Sequence, residues 1–256
     1  MRKLQRGRPT EYLYGRNAVM EALRGRRRHR RLYVAQGIEH HARIEALIDA
    51  ARRAGIATSI VPREELDRMV GPVNHQGVAL ETSPYPYVDL SAFLPPGPAS
   101  ILLVLDHLED PQNIATLLRT GEAVGIEGVV LPERRAAGIT PAVVNASAGA
   151  VEHLQVSVVT NLARAVDELR EGGYWAIALE PGERAQPLFV APLPRPLLLM
   201  VGSEGRGLSP ILVRRADVQV MIPMFGRVTS LNAAVAGSIA LYEIVRRELT
   251  AEPNTG

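Results

Sequence analysis

Residues Ile101–Asp106 read ILLVLD, an apolar run with no polar interruption before its final carboxylate. A strand with one wet face alternates apolar and polar residues; a parallel strand covered by helices on both faces does not. The same signature returns at Pro196–Gly202 (PLLLMVG) and, with one polar residue, at Val218–Pro223 (VQVMIP). Helical periodicity stands between and after these runs, from Pro111 to about Val124, over Leu162–Glu171, and over Ser230–Leu249. GVVL, LQVSVV and YWAIALE add strands, and helical segments are expected near Pro141–Ser147 and just after Leu208. The spacing predicts an α/β domain on a mostly parallel sheet.

A smaller block of alternating elements precedes it. RNAVMEALRG and HHARIEALIDAARRAG are helical, with Gly55 ending the second, and REELDRMV is a shorter helix. RLYVAQG, ATSIV and QGVALETS read as strands. Between the blocks lies SPYPYVDLSAFLPPGPAS, rich in proline and poor in periodicity, which reads as a linker. The expected organisation is therefore a first domain over 1–83, a linker over 84–99, a second domain over 100–250, and a disordered tail over 251–256.

Charge is distributed unevenly. The chain of 256 residues carries a net charge of +2, yet residues 1–31 hold eleven basic residues and two acidic ones. RGRRRHRR, Arg24–Arg31, is the densest stretch. It could be a plain solvated loop, but such clusters are frequent footprints of polyanion binding. All basic residues but Lys3 are arginines, whose forked guanidinium suits phosphate. Cysteine is absent, which excludes disulfides and thiolate metal sites. No apolar run reaches the roughly 18 residues of a membrane span, so a cytoplasmic protein with no membrane contact is expected.

Three stretches carry candidate chemistry. In LDHLEDPQNIATLLRTGEAVG, Asp110 and Pro111 make a good helix start, a carboxylate cap followed by proline. Asn113 and Arg119 flank the buried stripe of that helix, about 120° apart around an ideal 3.6-residue turn. In LLLMVGSEGRGLSP, a strand runs into Gly202-Ser-Glu-Gly-Arg-Gly207, where glycines let backbone approach a ligand closely. A Rossmann-type nucleotide loop is the rival reading, but that fingerprint belongs after the first strand of its domain. In VMIPMFGRVTSLN, a third strand–loop–helix junction places Ser230 and Asn232 at a helix start, as caps or as ligand contacts. Successive junctions of this kind point to one ligand at the carboxyl edge of the sheet. The six histidines have no metal-ligand spacing, and Ser230 has no evident His or Asp partner for a triad. NHQG, Asn74–Gly77, reads either as a substrate contact or as a turn.

Taken in this order, the three stretches resemble the SpoU (TrmH-type) family of SPOUT RNA 2′-O-ribose methyltransferases. Asn113 and Arg119 match its first motif, Gly202-x-Glu204-x-x-Gly207 its second, and Ile222-Pro223 with Ser230-Leu231-Asn232 its third. YGRNAVMEALRG and NHQGVALE further resemble the front domain of the 23S rRNA guanosine branch. The resemblance implies a C-terminal SPOUT parallel sheet with a trefoil knot, preceded by a small L30e-like α/β domain that binds RNA.

It also implies S-adenosyl-L-methionine as cofactor, a homodimer, and no metal. Gly202, Gly207, Ile222, Pro223 and Leu231 would hold the cofactor, and Asn113, Arg119, Glu204, Ser230 and Asn232 would serve catalysis. A guanosine of 23S rRNA is the expected target. A tRNA ribose methyltransferase, an antibiotic-resistance rRNA methylase and a non-catalytic RNA-binding protein are the alternative readings. A guanidinium loses its proton only above a pKa of roughly 12, so Arg119 is read as a contact to phosphate and developing oxyanion. The group that takes the ribose proton is left open.

Overall fold

The computed structural model describes residues 10–250, without the side chain of Thr250. The expected tail at 251–256 and the first nine residues of the basic stretch lie outside the described residues. In chain order the first elements are β1 (Glu11–Tyr14), α1 (Arg16–Arg24), β2 (His29–Ala35), α2 (Ala42–Arg53), β3 (Ala57–Val61), α3 (Arg63–Val70) and β4 (Val78–Thr82). Then come β5 (Ile101–Leu105), α4 (Pro111–Ala123), β6 (Gly128–Pro132), α5 (Pro141–Ala146), β7 (Gln155–Val159) and α6 (Leu162–Glu171). The chain closes with β8 (Trp175–Leu179), β9 (Gln186–Pro187), β10 (Leu197–Val201), α7 (Pro210–Val213), β11 (Val218–Met221) and α8 (Ala233–Thr250).

These elements form two compact units, one running to Pro86 and including Ile139–His153, the other holding Tyr87–Gly138 and the chain from Leu154 onward. The first unit is built on a four-stranded sheet of order β1-β4-β2-β3, parallel only between β2 and β3. Leu13, Leu32 and Leu80 fill its interior, and α2 contributes Ile44, Leu47 and Ala51, one helical stripe. The segment carrying α5, which the periodicity groups with the second block, packs here. Asn145 Nδ2 donates to the Tyr14 carbonyl at 3.0 Å, and the Tyr85 hydroxyl donates to the Val151 carbonyl at 3.1 Å.

Within the basic run one arginine goes inward. Arg27 is buried, donates from Nε to Glu152 Oε2 at 3.0 Å and from Nη1 to Glu11 Oε2 at 2.8 Å, and lies 5.1 Å from the Tyr85 ring centre. Arg24, Arg28, Arg30 and Arg31 are exposed. His75 of the NHQG stretch is fully buried; its Nδ1 accepts from the Gly77 amide at 3.0 Å and its Nε2 meets Asp67 Oδ1 at 3.0 Å. It holds a turn.

The second unit is a seven-stranded parallel sheet of order β7-β6-β5-β10-β8-β11-β9. Every residue of β5 and β10 is buried, as their unbroken apolar runs require. Phe93, from the proline-rich stretch read as a linker, is fully buried in this core. A Cβ on Gly128 would come within 2.3 Å of its ring, so β6 admits only glycine there. Helices α4 and α8 pack closely because Gly237 sits against Leu117, where a Cβ would fall 2.5 Å from Leu117 Cδ2, and the Thr120 and Ser238 hydroxyls meet at 2.9 Å. Among the described residues no helix is long and apolar enough to cross a membrane, and no cluster of metal-ligating side chains occurs.

Candidate active site

Strands β5, β10, β8 and β11 are neighbours, and the loops that leave their carboxyl ends converge. They enclose a cavity of about 540 Å³ lined by Glu180, the Gly202–Gly207 loop, Met221–Met224 and Thr229–Leu231, with Ala233 and Ala236 of α8 at its wall. A second cavity of about 340 Å³, lined by His107, Asp110 and Asn113, shares Ser203, Glu204 and Arg206 with the first. One loop thus serves two adjoining chambers.

The glycine loop is held in a closed form. Gly207 has φ +64° and Gly205 φ +82°, the left-handed region that glycine occupies without a Cβ penalty. A Cβ on Gly202 would lie 2.1 Å from the Gly207 carbonyl carbon and 2.2 Å from the Leu208 nitrogen, so the two ends of the loop touch through backbone. Two carboxylates from strand ends fasten it. Glu180 Oε2 accepts from the Leu208 amide and Asp106 Oδ2 from the Ser209 amide, each at 2.8 Å. Neither Glu180 nor Asp106 stands out in the sequence. Their shared signal is an acidic residue directly after an apolar strand, in IALE and LVLD.

Asn232 resolves the double meaning of the last junction. Its Oδ1 caps α8, accepting from Ala234 N at 2.9 Å and Val235 N at 3.2 Å. Its Nδ2 donates to Asn113 Oδ1 at 2.9 Å and to Glu204 Oε2 at 3.1 Å. Helix α8 therefore starts at Ala233, three residues after the expected Ser230, because the cap is Asn232. All four hydrogen-bonding positions of the Asn232 amide are used. Asn113 keeps its Nδ2 donor, and Glu204 keeps its second oxygen, for something else.

Of the residues singled out in the sequence, Gly202, Gly207, Ile222, Pro223, Ser230 and Leu231 line the larger cavity. Asn113 and Glu204 line the smaller one, and Asn232 joins them. Arg119 stands apart: it is exposed on α4, lines neither cavity, and has no side-chain partner among the described residues.

The larger cavity is a candidate small-molecule site. Its size falls within the range of small-molecule sites, its walls offer Leu179, Met221, Ile222 and Leu231, and its floor is glycine backbone. Fold and cavity together are those of a SPOUT-type RNA 2′-O-ribose methyltransferase, with the trefoil knot of that fold in its second unit. The chain belongs to the SpoU rRNA methylase family, which residues 100–242 match, while residues 12–88 match the substrate-binding domain of RNA 2′-O-ribose methyltransferases.

Among curated relatives, YacO of Bacillus subtilis, named as a TrmH-family tRNA/rRNA methyltransferase, is 38% identical over 241 residues, 93% of this chain and 96% of its own. Among solved structures, the AdoMet-bound rRNA methyltransferase of Sinorhizobium meliloti shares the fold with a TM-score of 0.79 at 24% identity, over 94% of this chain and 88% of that one. The TrmH/SpoU tRNA-modifying enzyme of A. aeolicus aligns with a TM-score of 0.53 at 25% identity, over 62% of this chain and 80% of its own.

Proposed function

We propose that this chain methylates a ribose 2′-hydroxyl of ribosomal RNA, in its narrowest form a guanosine of 23S rRNA. The observation that carries the choice of rRNA is the first unit. The tRNA-modifying enzyme aligns over 62% of this chain, too little to span both units, whereas the Sinorhizobium rRNA methyltransferase aligns over 94%. A tRNA substrate is the second reading, favoured by the tRNA/rRNA designation of YacO.

S-adenosylmethionine, when bound, supplies a methyl group on a sulfonium. Backbone at Gly202, Gly207, Ile222 and Leu231 would hold it in the larger cavity, with Glu180 keeping the loop closed. The ribose enters the smaller chamber. There Asn232 fixes the Asn113 amide so that its Nδ2 donates toward the oxygen that attacks, and Glu204 accepts from a ribose hydroxyl. Preorganised donors of this kind lower the barrier because they need no reorientation as charge develops. Arg119, exposed on α4 outside both chambers, contacts a phosphate of the RNA. Exposed arginines of the first unit hold the RNA by its phosphates, which fixes register without reading sequence.

The working unit is a homodimer. Val235, Tyr242 and Leu249 recur every seven residues on α8 and are 46%, 57% and 82% exposed, an apolar stripe that a second copy would cover. Mapping of ribose methylation on rRNA and tRNA from cells with and without the gene tests the substrate. Loss of one 23S rRNA methyl is expected; loss confined to tRNA would transfer the assignment to the second reading.

A further inference from the structure

The functional reading leaves the acceptor of the ribose proton unassigned, and the smaller chamber holds a side chain built for that task. His107 lines it together with Asn113 and Glu204. Its backbone has φ +57°, a left-handed conformation few residues other than glycine adopt, between Asp106 and Leu108, both 2% exposed. The two buried neighbours pin the turn on either side, and His107 lines the chamber between them. His107 Nδ1 lies 2.5 Å from Asp106 Oδ1, while the other oxygen of that carboxylate is occupied by the Ser209 amide. Asp106 is thus fixed before it meets the ring. A carboxylate against Nδ1 favours the tautomer with the proton on Nδ1 and a lone pair on Nε2. His107 is 32% exposed on its side chain, so the ring also reaches water.

We propose that His107 is the proton acceptor of the reaction, taking the ribose 2′-hydroxyl proton on Nε2 with Asp106 orienting the ring. The inference rests on the methyltransferase reading above. In the step, the O2′–H bond breaks and its proton goes to Nε2. The oxygen's electron pair forms the O2′–CH₃ bond, and the S–CH₃ bond of the sulfonium donor breaks with its pair returning to sulfur. The imidazolium then releases its proton to solvent, which the partly exposed ring reaches. Arg119 cannot fill this role while it remains a cation. The other charged groups facing the chamber are Glu109, Asp110, Glu204 and Arg206. Of these only carboxylates could compete as bases; Asp110 accepts from Gln112 N as a helix cap, and Glu204 accepts from Asn232 with one oxygen while the other receives a ribose hydroxyl without taking its proton.

The test uses the full-length protein. His107→Asn is the first variant, since asparagine tolerates left-handed backbone. Its single-turnover methylation of rRNA should fall about 100-fold or more, the scale of a lost general base, with affinities for RNA and S-adenosylhomocysteine within threefold of wild type. His107→Gly should regain part of the lost rate when imidazole is added, a response that a merely structural residue does not give. Independently of activity, ¹⁵N spectra of the ligand-free protein should show the His107 proton on Nδ1. A rate for His107→Asn within threefold of wild type, or a proton on Nε2, overturns the proposal. A wild-type protein that binds S-adenosylhomocysteine but methylates neither rRNA nor tRNA would instead overturn the functional reading.

Discussion

Asn232 Nδ2 donates to Asn113 Oδ1 at 2.9 Å, joining the start of the last helix to the first turn of a helix 119 residues earlier. The same Asn232 caps its own helix and reaches Glu204, so the start of α8 and the wall of the smaller chamber are held by one amide. This dual use has consequences for substitution.

Asn232→Asp keeps an acceptor for the cap but loses the Nδ2 donor and sets a second carboxylate beside Glu204. Methyl transfer should fall by at least about 100-fold, the scale of losing a preorganised donor, while the thermal midpoint moves little. Asn232→Ala should lose the same activity and in addition about 1 kcal/mol of stability, as for a removed helix cap. Paired rate and melting measurements distinguish the two. Equal melting of both variants would show that the cap contributes nothing.

Arg119 lines neither cavity, so its expected role is on the RNA and not on the cofactor. Arg119→Ala should reduce single-turnover methylation by about 100-fold and leave S-adenosylhomocysteine affinity within a few-fold. Arg119→Lys should recover little, because a point charge does not replace a planar fork. Calorimetry and a quench assay on an rRNA fragment measure both, and wild-type rates in Arg119→Ala would remove the residue from the site.

The glycine loop is the part of the larger cavity least able to take a side chain, because its two ends touch through backbone. Gly202→Ala drives a methyl into backbone at Gly207 and Leu208. Cofactor binding should be lost in calorimetry, with RNA binding retained through the first unit. Gly226, whose Cβ would meet nothing within 4 Å, is the control. Gly226→Ala should bind cofactor normally.

Exposed arginines of the first unit should act through counterion release. Truncating that unit would uncover Ile139–His153, which packs within it, so point substitutions are the cleaner experiment. Replacing Arg24, Arg28, Arg30 and Arg31 with Gln should weaken rRNA binding and flatten its dependence on salt. Arg27→Gln should act differently. It strands Glu152 in the interior, and its measured defect should be in folding.

Glu243 is buried on α8 and accepts from Arg246 at 2.7 Å and Arg247 at 2.8 Å. The Arg246 guanidinium first, and Arg247 with it, lowers its carboxyl from the ordinary 4.5 to about 2, against the opposing effect of burial. A depressed carboxyl contributes stability that is fully present above its unfolded value and is lost as pH falls through the folded one. Wild type should therefore melt above Glu243→Gln at pH 6, and the gap should close between about pH 4.5 and 2. A gap independent of pH would remove the ion pair as its cause.

Much of this protein is written locally. The apolar runs at Ile101–Leu105 and Leu197–Val201 announce buried parallel strands, and the Asp110–Pro111 pair announces the start of α4, where the aspartate accepts from Gln112 N at 3.0 Å. Such signals depend on residues a few positions apart. Strands β1 and β9 escaped because they are short edge strands whose identity comes from a neighbour, β4 in one case and β11 in the other. Phe93 looked like part of a linker because nothing beside it in sequence shows that Gly128 leaves room for its ring.

The site divides along the same line. Gly202, Glu204 and Asn232 were legible as motif residues, since glycine loops and caps have a local grammar. That Asn232 meets Asn113, that Glu180 and Asp106 fasten the glycine loop, and that His107 stands against Asp106 inside the chamber were settled only when β5, β10, β8 and β11 came side by side. Arg27 shows it most plainly. In sequence it is one of a run of arginines, and only the fold brings Glu11 and Glu152 to it. Which charge is buried depends on partners far along the chain, because a guanidinium leaves water only where opposite charge and hydrogen bonds replace its hydration.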